Sequence, residues 1–207
     1  MTTNLAHVPS HIVVLRHGST EWAKTGRFTS YTDVDLDSEG RAVASTWAAT
    51  FEGVDLTAYC SPLLRARDTA RLAGLTPRIV DDLVEWNLGD LEGLDSEEYR
   101  LAHLHWRLFV DGAPGGESPQ EVVDRTQNEL RRANEATTDI CVLVTHGQIA
   151  KVVATELLKL PLTTGDHFAL GPGRTAVFTW RESLGGYLMA GWNRTAVPLD
   201  ELLNGNH

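Results

Sequence analysis

Two histidines and two arginines stand where a fold could bring them together. Arg16-His17-Gly18 follows a short β-branched run, and Thr145-His146-Gly147 follows another. In an open α/β sheet, ligands bind beyond the carboxyl ends of the strands. A glycine after each histidine lets a ligand approach the backbone closely. Ser61-Pro62-Leu63-Leu64-Arg65-Ala66 adds Arg65, in the first turn of a helix that follows a third strand. This set suits phosphoryl chemistry. A neutral imidazole attacks phosphorus in line and forms a phosphohistidine. Cations around the transferring group stabilise its equatorial oxygens, and Arg makes the bidentate contact better than Lys. The second His-Gly also opens a helix, so the N–H groups of Gly147 and Gln148 are expected to face an anion. The acidic segment Asp82–Gly93 supplies a proton donor. A carboxyl beside aromatic and apolar groups there would have a raised pKa and serve as general acid. On this ground alone Asp82, Glu85, Asp90 and Glu92 all stay open.

The elements that must position these groups are readable. His11-Ile-Val-Val-Leu15 and Ile140–Thr145 read as buried parallel strands. Leu56–Cys60, Arg78–Val80, Thr175–Arg181 and Gly186–Trp192 read as further strands. Helices are predicted over Ser38–Phe51, from Ser61-Pro62 to Gly74, over Glu97–Val110, from Ser118 to about Glu135, and over Ile149–Leu160. Ser61 reads as an N-cap with Pro at N1, and Ser118-Pro-Gln-Glu121 as a capping box. Ser19–Asp37 reads as a long functional loop. Alternating strands and helices predict one three-layer α/β/α sandwich on a mainly parallel sheet. No repeat or linker divides residues 1–207, so one domain is expected.

Composition sets the surroundings. Of 207 residues, 42% are hydrophobic, enough for a core without staples. Eighteen Lys+Arg against 28 Asp+Glu leave a net charge of −10. That speaks against nucleic acid and anionic membranes as partners, which need a basic surface. It says little against a small phosphate ester, because a few converging cations decide a site. Cys60 and Cys141 are expected to be buried free thiols. No apolar run approaches the about 18 residues of a membrane span, and Met1–Ser10 does not read as a leader, so a cytoplasmic place is expected.

With these residues in hand, the chain resembles the histidine phosphatase superfamily, which includes cofactor-dependent phosphoglycerate mutases and many phosphatases. The resemblance rests on Leu15-Arg16-His17-Gly18-Ser19-Thr20-Glu21-Trp22, Gly26-Arg27, Thr32–Gly40, Ser61–Ala70, Leu83–Gly93 and Val144–Gly147, in family order over residues 12 to about 158. It implies a phosphoglycerate mutase-like fold and a phosphomonoester hydrolase needing no metal or other cofactor. It assigns His17 as the nucleophile, and Arg16, Arg65 and His146 as holders of the phosphoryl group. Glu85 becomes the residue that protonates the leaving group and then activates water. The chain departs from the family at Ala23, where Asn is common; Thr29 is the expected replacement contact. Thr29-Ser30 stands where mutases have Thr-Gly, which makes both substrate-loop candidates, and Trp86 follows Glu85 where mutases have Arg. The mutases' later paired arginines are absent, which favours hydrolysis over phosphate return. Trp22–Arg27 with Glu85-Trp86 is similar to a branch that includes the yeast sedoheptulose bisphosphatase and actinobacterial acid phosphatases. The implied partner is a small phosphorylated metabolite such as a sugar phosphate.

Two rivals stand beside this reading: a phosphoglycerate mutase, and an inactive relative that binds a phosphorylated ligand. The assembly is open, with a homodimer as one expectation. His103 and His105 are two apart on a predicted helix and point to different faces, so they read as packing or surface residues rather than metal ligands. His167 reads as a loop residue. Gly115-Gly116-Glu117-Ser118 is either a lid or a turn joined to a helix cap.

Overall fold

A computed structural model describes residues 8–136 and 138–204. The first seven residues of the leaderless N-terminal reading lie outside them. Six strands form one sheet: β1 (His11–Arg16), β2 (Thr57–Cys60), β3 (Arg78–Ile79), β4 (Ile140–Thr145), β5 (Thr175–Arg181) and β6 (Gly186–Arg194), in the order β3-β2-β4-β1-β5-β6. β1, β2, β3 and β4 run parallel, while β5 lies antiparallel to both β1 and β6. The mainly parallel sheet is therefore as expected. β1 and β4 occupy its centre because their β-branched runs are buried on both faces.

The helices are α1 (Glu21–Lys24), α2 (Ser38–Thr46), α3 (Ala48–Phe51), α4 (Leu64–Leu72), α5 (Ser96–Ala102), α6 (Leu108–Asp111), α7 (Pro119–Ala133), α8 (Gly147–Leu157) and α9 (Leu199–Asn204). Alternation along β1 divides the core. Val13 and Leu15 face Trp47, Phe51, the α4 alanines and Leu202, while Ile12 and Val14 face α7, α8 and the Leu83–Leu91 segment. Two apolar layers on one sheet make the three-layer sandwich.

Three predicted helices differ in extent. Ser38–Phe51 breaks at Trp47, because the Ser45 and Thr46 hydroxyls bond back to the Arg41 and Val43 carbonyls and compete with the helix. Glu97–Val110 splits because Trp106 turns inward, edge-on to both Phe28 and Tyr99, and donates its indole N–H to the Gly112 carbonyl. α4 starts at Leu64, not Ser61; Asp33 reaches across the chain to accept the Leu64 N–H at 2.7 Å. The capping box at Ser118 forms in both directions. Cys60 and Cys141 are buried and free, and burial pushes both thiols up to about 12, which leaves them unreactive. No described helix is long and apolar enough to cross a membrane.

Candidate active site

The carboxyl ends of β1 and β4 lie side by side, with Arg16 paired to Thr145 in register. The chain leaves both strands at the same edge, so the rings of His17 and His146 come to 5.1 Å centroid separation. His17 is buried, with 4% exposure, and its backbone is fixed on both sides: its N–H donates to the Thr145 carbonyl, and its carbonyl accepts from Gly173. The ring Nδ1 lies 2.7 Å from the Gly18 carbonyl. A carbonyl only accepts, so Nδ1 carries the proton and Nε2 keeps its lone pair. Gly18 must be glycine here, because a Cβ would stand 2.5 Å from the Gly40 carbonyl oxygen. The Gly18 N–H donates to the Thr69 hydroxyl, which donates to the Arg65 carbonyl, tying the β1 exit to α4.

Both arginines are held by carbonyls rather than acids. Arg16 Nη1 donates to the Leu170 carbonyl, and its guanidinium carbon lies 3.2 Å from where a Cβ on Gly147 would stand. Arg65, buried on α4, donates to the Ser30 and Thr32 carbonyls. Arg16 Nε, Arg65 Nε and His146 Nδ1 are all buried with no hydrogen-bond partner among the described residues. His146 Nε2 lies 2.7 Å from Ser61 Oγ, which already accepts the Leu63 N–H. The Ser61 proton is thus free for Nε2, which assigns the other ring proton to Nδ1. Ser61 orients the second histidine instead of capping α4.

Glu85 is buried at 5% exposure and sits on the first turn of α8. Its carboxylate accepts the backbone N–H groups of Trp86, Gln148 and Ile149 at 2.9, 3.1 and 3.2 Å. The helix N-terminus does receive an anion, but that anion is Glu85. The Gln148 amide expected to face substrate is therefore taken, while Gly147 and Gln148 both line the cleft.

Ser30 is corrected. It is buried, with its hydroxyl donating to the Trp86 carbonyl and accepting from Leu88, and its N–H donating to Glu92. It staples the substrate loop to the acid loop and does not line the cleft. Thr29 does, as does Ala23.

The acid loop rests on a buttress that the sequence reading left out. Arg125 on α7 donates to the carbonyls of Asp82, Val84 and Glu85 and is paired with Glu117 at 2.8 Å. Glu117 in turn accepts the Asn87 N–H, and its carbonyl accepts the Trp86 indole N–H. The Gly115–Ser118 turn thus lies behind the acid loop, not over the cleft as a lid; a Cβ on Gly116 would stand 2.1 Å from the Asn87 carbonyl oxygen. Replacing Arg125 by Met is expected to cost about 3 kcal/mol of stability, since Glu117 is left half-buried and unpaired. Denaturant titration reads that loss, and kcat should fall with it as Glu85 loosens. Arg125→Lys should recover little, because an ammonium cannot serve three carbonyls and a carboxylate as a fork does.

Arg16, His17, Thr29 and Glu85 line a cleft of about 510 Å³, whereas Arg65 and His146 are fully buried and do not line it; the cleft also takes in Arg27, Phe28, Arg100, Lys151, Phe168 and Asn193. None of those six was named from sequence as a site residue. Arg27 carried a signal as part of the Gly26-Arg27 landmark, and Lys151 another, being three residues after Gln148 on one helix face. His167 ends a 3-10 turn (Leu162–His167) and lines an adjoining cavity, so it lies nearer the site than its loop reading implied. His103 stacks on Tyr99, and among the described residues no three His, Cys, Asp or Glu are placed to hold a metal.

Burial, then the Arg65 charge, then the Arg16 charge hold His17 well below the ordinary 6.5. Burial and Arg65, followed by His17 and Arg16, do the same to His146. Both rings are neutral in the folded protein near pH 7, as nucleophilic attack requires. Unfolding lets them take protons below 6.5, so their share of stability is complete above that pH and is lost as pH falls toward the depressed folded values. Glu129, pushed up to about 7 by burial, acts with the opposite sign, losing stability as pH rises from 4.5 toward 7. The histidine contribution is therefore read as a difference. Between about pH 8 and 5, melting of the wild type should fall more steeply below 6.5 than that of His17→Ala.

The histidine phosphatase superfamily (branch 1) matches residues 12–195. An acid phosphatase of Mycobacterium tuberculosis is 38% identical over 164 residues, covering 77% of this chain and 81% of that protein. Sedoheptulose 1,7-bisphosphatase of Saccharomyces cerevisiae is 29% identical over 69% of this chain and 65% of its own length. Among solved structures, a functionally characterised open reading frame of Mycobacterium tuberculosis superposes with TM-score 0.83 at 33% identity, covering 89% of this chain and 97% of the other. Mycobacterial glucosyl-3-phosphoglycerate phosphatase gives 0.76 at 27% identity, over 90% and 99%. The chain belongs to the histidine phosphatase superfamily, with its phosphoglycerate mutase-like fold, and is a phosphatase of that superfamily.

Proposed function

We propose that the protein hydrolyses the phosphomonoester of a small metabolite, a sugar phosphate among them, through a phosphohistidine on His17, within one domain spanning residues 1–207. The observation that carries this reading is a neutral imidazole with a free Nε2, set among buried donors that have no acceptor: Arg16 Nε, Arg65 Nε and His146 Nδ1. Such donors are costly to leave unpaired, and a phosphoryl group satisfies them. Nε2 attacks phosphorus, the ester oxygen leaves with a proton from Glu85, and phosphate charge spreads onto Arg16, Arg65 and His146. Water, deprotonated by Glu85, then attacks the phosphohistidine and releases phosphate.

No step in this scheme requires a metal, and the site residues supply the charge a cation would. Thr29 edges the cleft beside Ala23 and is the neighbour left to replace an Asn contact. The relatives differ in the substrates they are named for, and the closed inner end serves any phosphomonoester alike. Selectivity then lies in the outer wall. A cytoplasmic place, and a homodimer as the assembly, belong to the same reading and are checked by fractionation and by light scattering. The deciding experiment is a phosphate-release screen over phosphorylated metabolites, with His17→Ala as control. Interconversion of 3- and 2-phosphoglycerate faster than phosphate release would make the protein a mutase. No release from any ester would leave a phospho-ligand binder.

A further inference from the structure

The cleft does not end where the phosphoryl group would sit. A second cavity, of about 520 Å³, adjoins it and shares Arg100, Gln148 and Lys151 with it as lining. Three cations border this second space. Arg107 is matched by Asp166 at 2.6 Å. Arg100 and Lys151 have no carboxylate partner among the described residues. Aromatic faces steady them instead: Arg100 lies 5.2 Å from the Phe28 ring centre and Lys151 lies 5.7 Å from that of Phe109. Lys151 follows Gln148 by three residues on the same face of α8, about 4.5 Å along the axis. Burial and the nearby Arg16 both press its ammonium downward from the ordinary value. Two cations that line both spaces without a carboxylate partner disfavour each other, and a bound anion relieves that cost.

We propose that this outer space is a second anion subsite, in which Arg100 and Lys151 bind a carboxylate or phosphate that the substrate carries a few carbons from its transferred phosphoryl group. The proposal rests on the phosphatase reading only for the word substrate. It names the class: phosphomonoesters with a second acidic end, in preference to those with a neutral one.

The test is binding, so that it stands apart from catalysis. Calorimetry on the full chain compares 3-phosphonopropionate with its amide, which keeps the shape and removes the second charge. Propane-1,3-diyl bisphosphonate is the third probe and separates carboxylate from phosphate preference. The wild type is expected to bind the better of the two doubly acidic probes at least about tenfold more tightly than the amide. In Arg100→Gln/Lys151→Met that ratio should fall toward one, while Lys151→Arg should keep most of it. Amide binding retained by the double variant reports an intact inner site and fold. Equal affinities in the wild type, a preference that survives the double variant, or no binding of either acidic probe would each overturn the subsite. Absence of phosphate release from every ester, with the preference intact, would instead remove the phosphatase reading and leave the subsite standing.

Discussion

Replacing His17 by Ala is expected to lower phosphate release by about 10⁵-fold or more, to the background that binding and electrostatics alone sustain. The size of the effect follows from the surroundings. The other two groups with suitable lone pairs are engaged: His146 is turned to Ser61 through Nε2, and the Glu85 oxygens accept three amides. Rapid acid-free quench of the wild type with a ³²P-labelled ester should trap an acid-labile, base-stable phosphoenzyme, and the variant should trap none. Because the His17 backbone stays bonded on both sides whatever its side chain, the fold should survive the truncation. A variant that melts normally yet still turns over would remove the covalent mechanism.

Exchange of Glu85 for Gln is expected to lower kcat by about 10²- to 10⁴-fold on alkyl esters. The amide is nearly isosteric, but both Glu85 oxygens accept backbone N–H groups, so the amide turns its NH₂ toward one of these donors, and it has no proton of carboxylic acidity to give. The loss should shrink for p-nitrophenyl phosphate, whose leaving group departs without help. With that ester the second half-reaction becomes limiting, since the variant also lacks the base that activates water. A burst of one p-nitrophenolate per site followed by slow turnover should then appear in stopped flow. An equal loss on both esters, with no burst, would assign Glu85 to holding the loop in place rather than to proton transfer.

The sequence exposed the inner site well because those residues depend on strand ends and helix starts, which local pattern reveals. His17 and His146 follow β-branched runs, and Arg65 follows the turn that ends β2. Their meeting point needed only the rule that parallel strands share a catalytic edge. Glu85 could not be separated from Asp82, Asp90 and Glu92 by charge or loop character; family position chose it, and the structure places it on the α8 amides. What remained hidden was set by distant parts of the chain. Arg125 looked like any polar residue on a helix, and its three carbonyl partners lie about forty residues away in sequence. Ser61 looked like a helix cap because Ser-Pro before a helix usually is one, and a buried histidine outcompeted that local use. Ser30 looked like a loop residue free for substrate, whereas packing between two loops buried it. The outer wall, with Arg100 and Lys151, emerges only when α5, α8 and the segment before β5 are brought together.

The reversed β5 has a consequence for how the enzyme comes into being. On a ribosome, all of Arg16, His17, Arg65, Glu85 and His146 emerge before β5 is made. Until then β1, whose Ile12–Leu15 are fully buried in the finished protein, is an open edge of the nascent sheet. Such an edge is bare, apolar and ready to pair with a neighbouring chain. β5 closes it, and the segment just before β5 brings the Leu170 carbonyl to Arg16 and the Gly173 amide to His17. Residues that perform no chemistry therefore complete the site last. A growing chain would hold its whole catalytic set for some time without a working pocket, and it would be most dependent on chaperones during that interval.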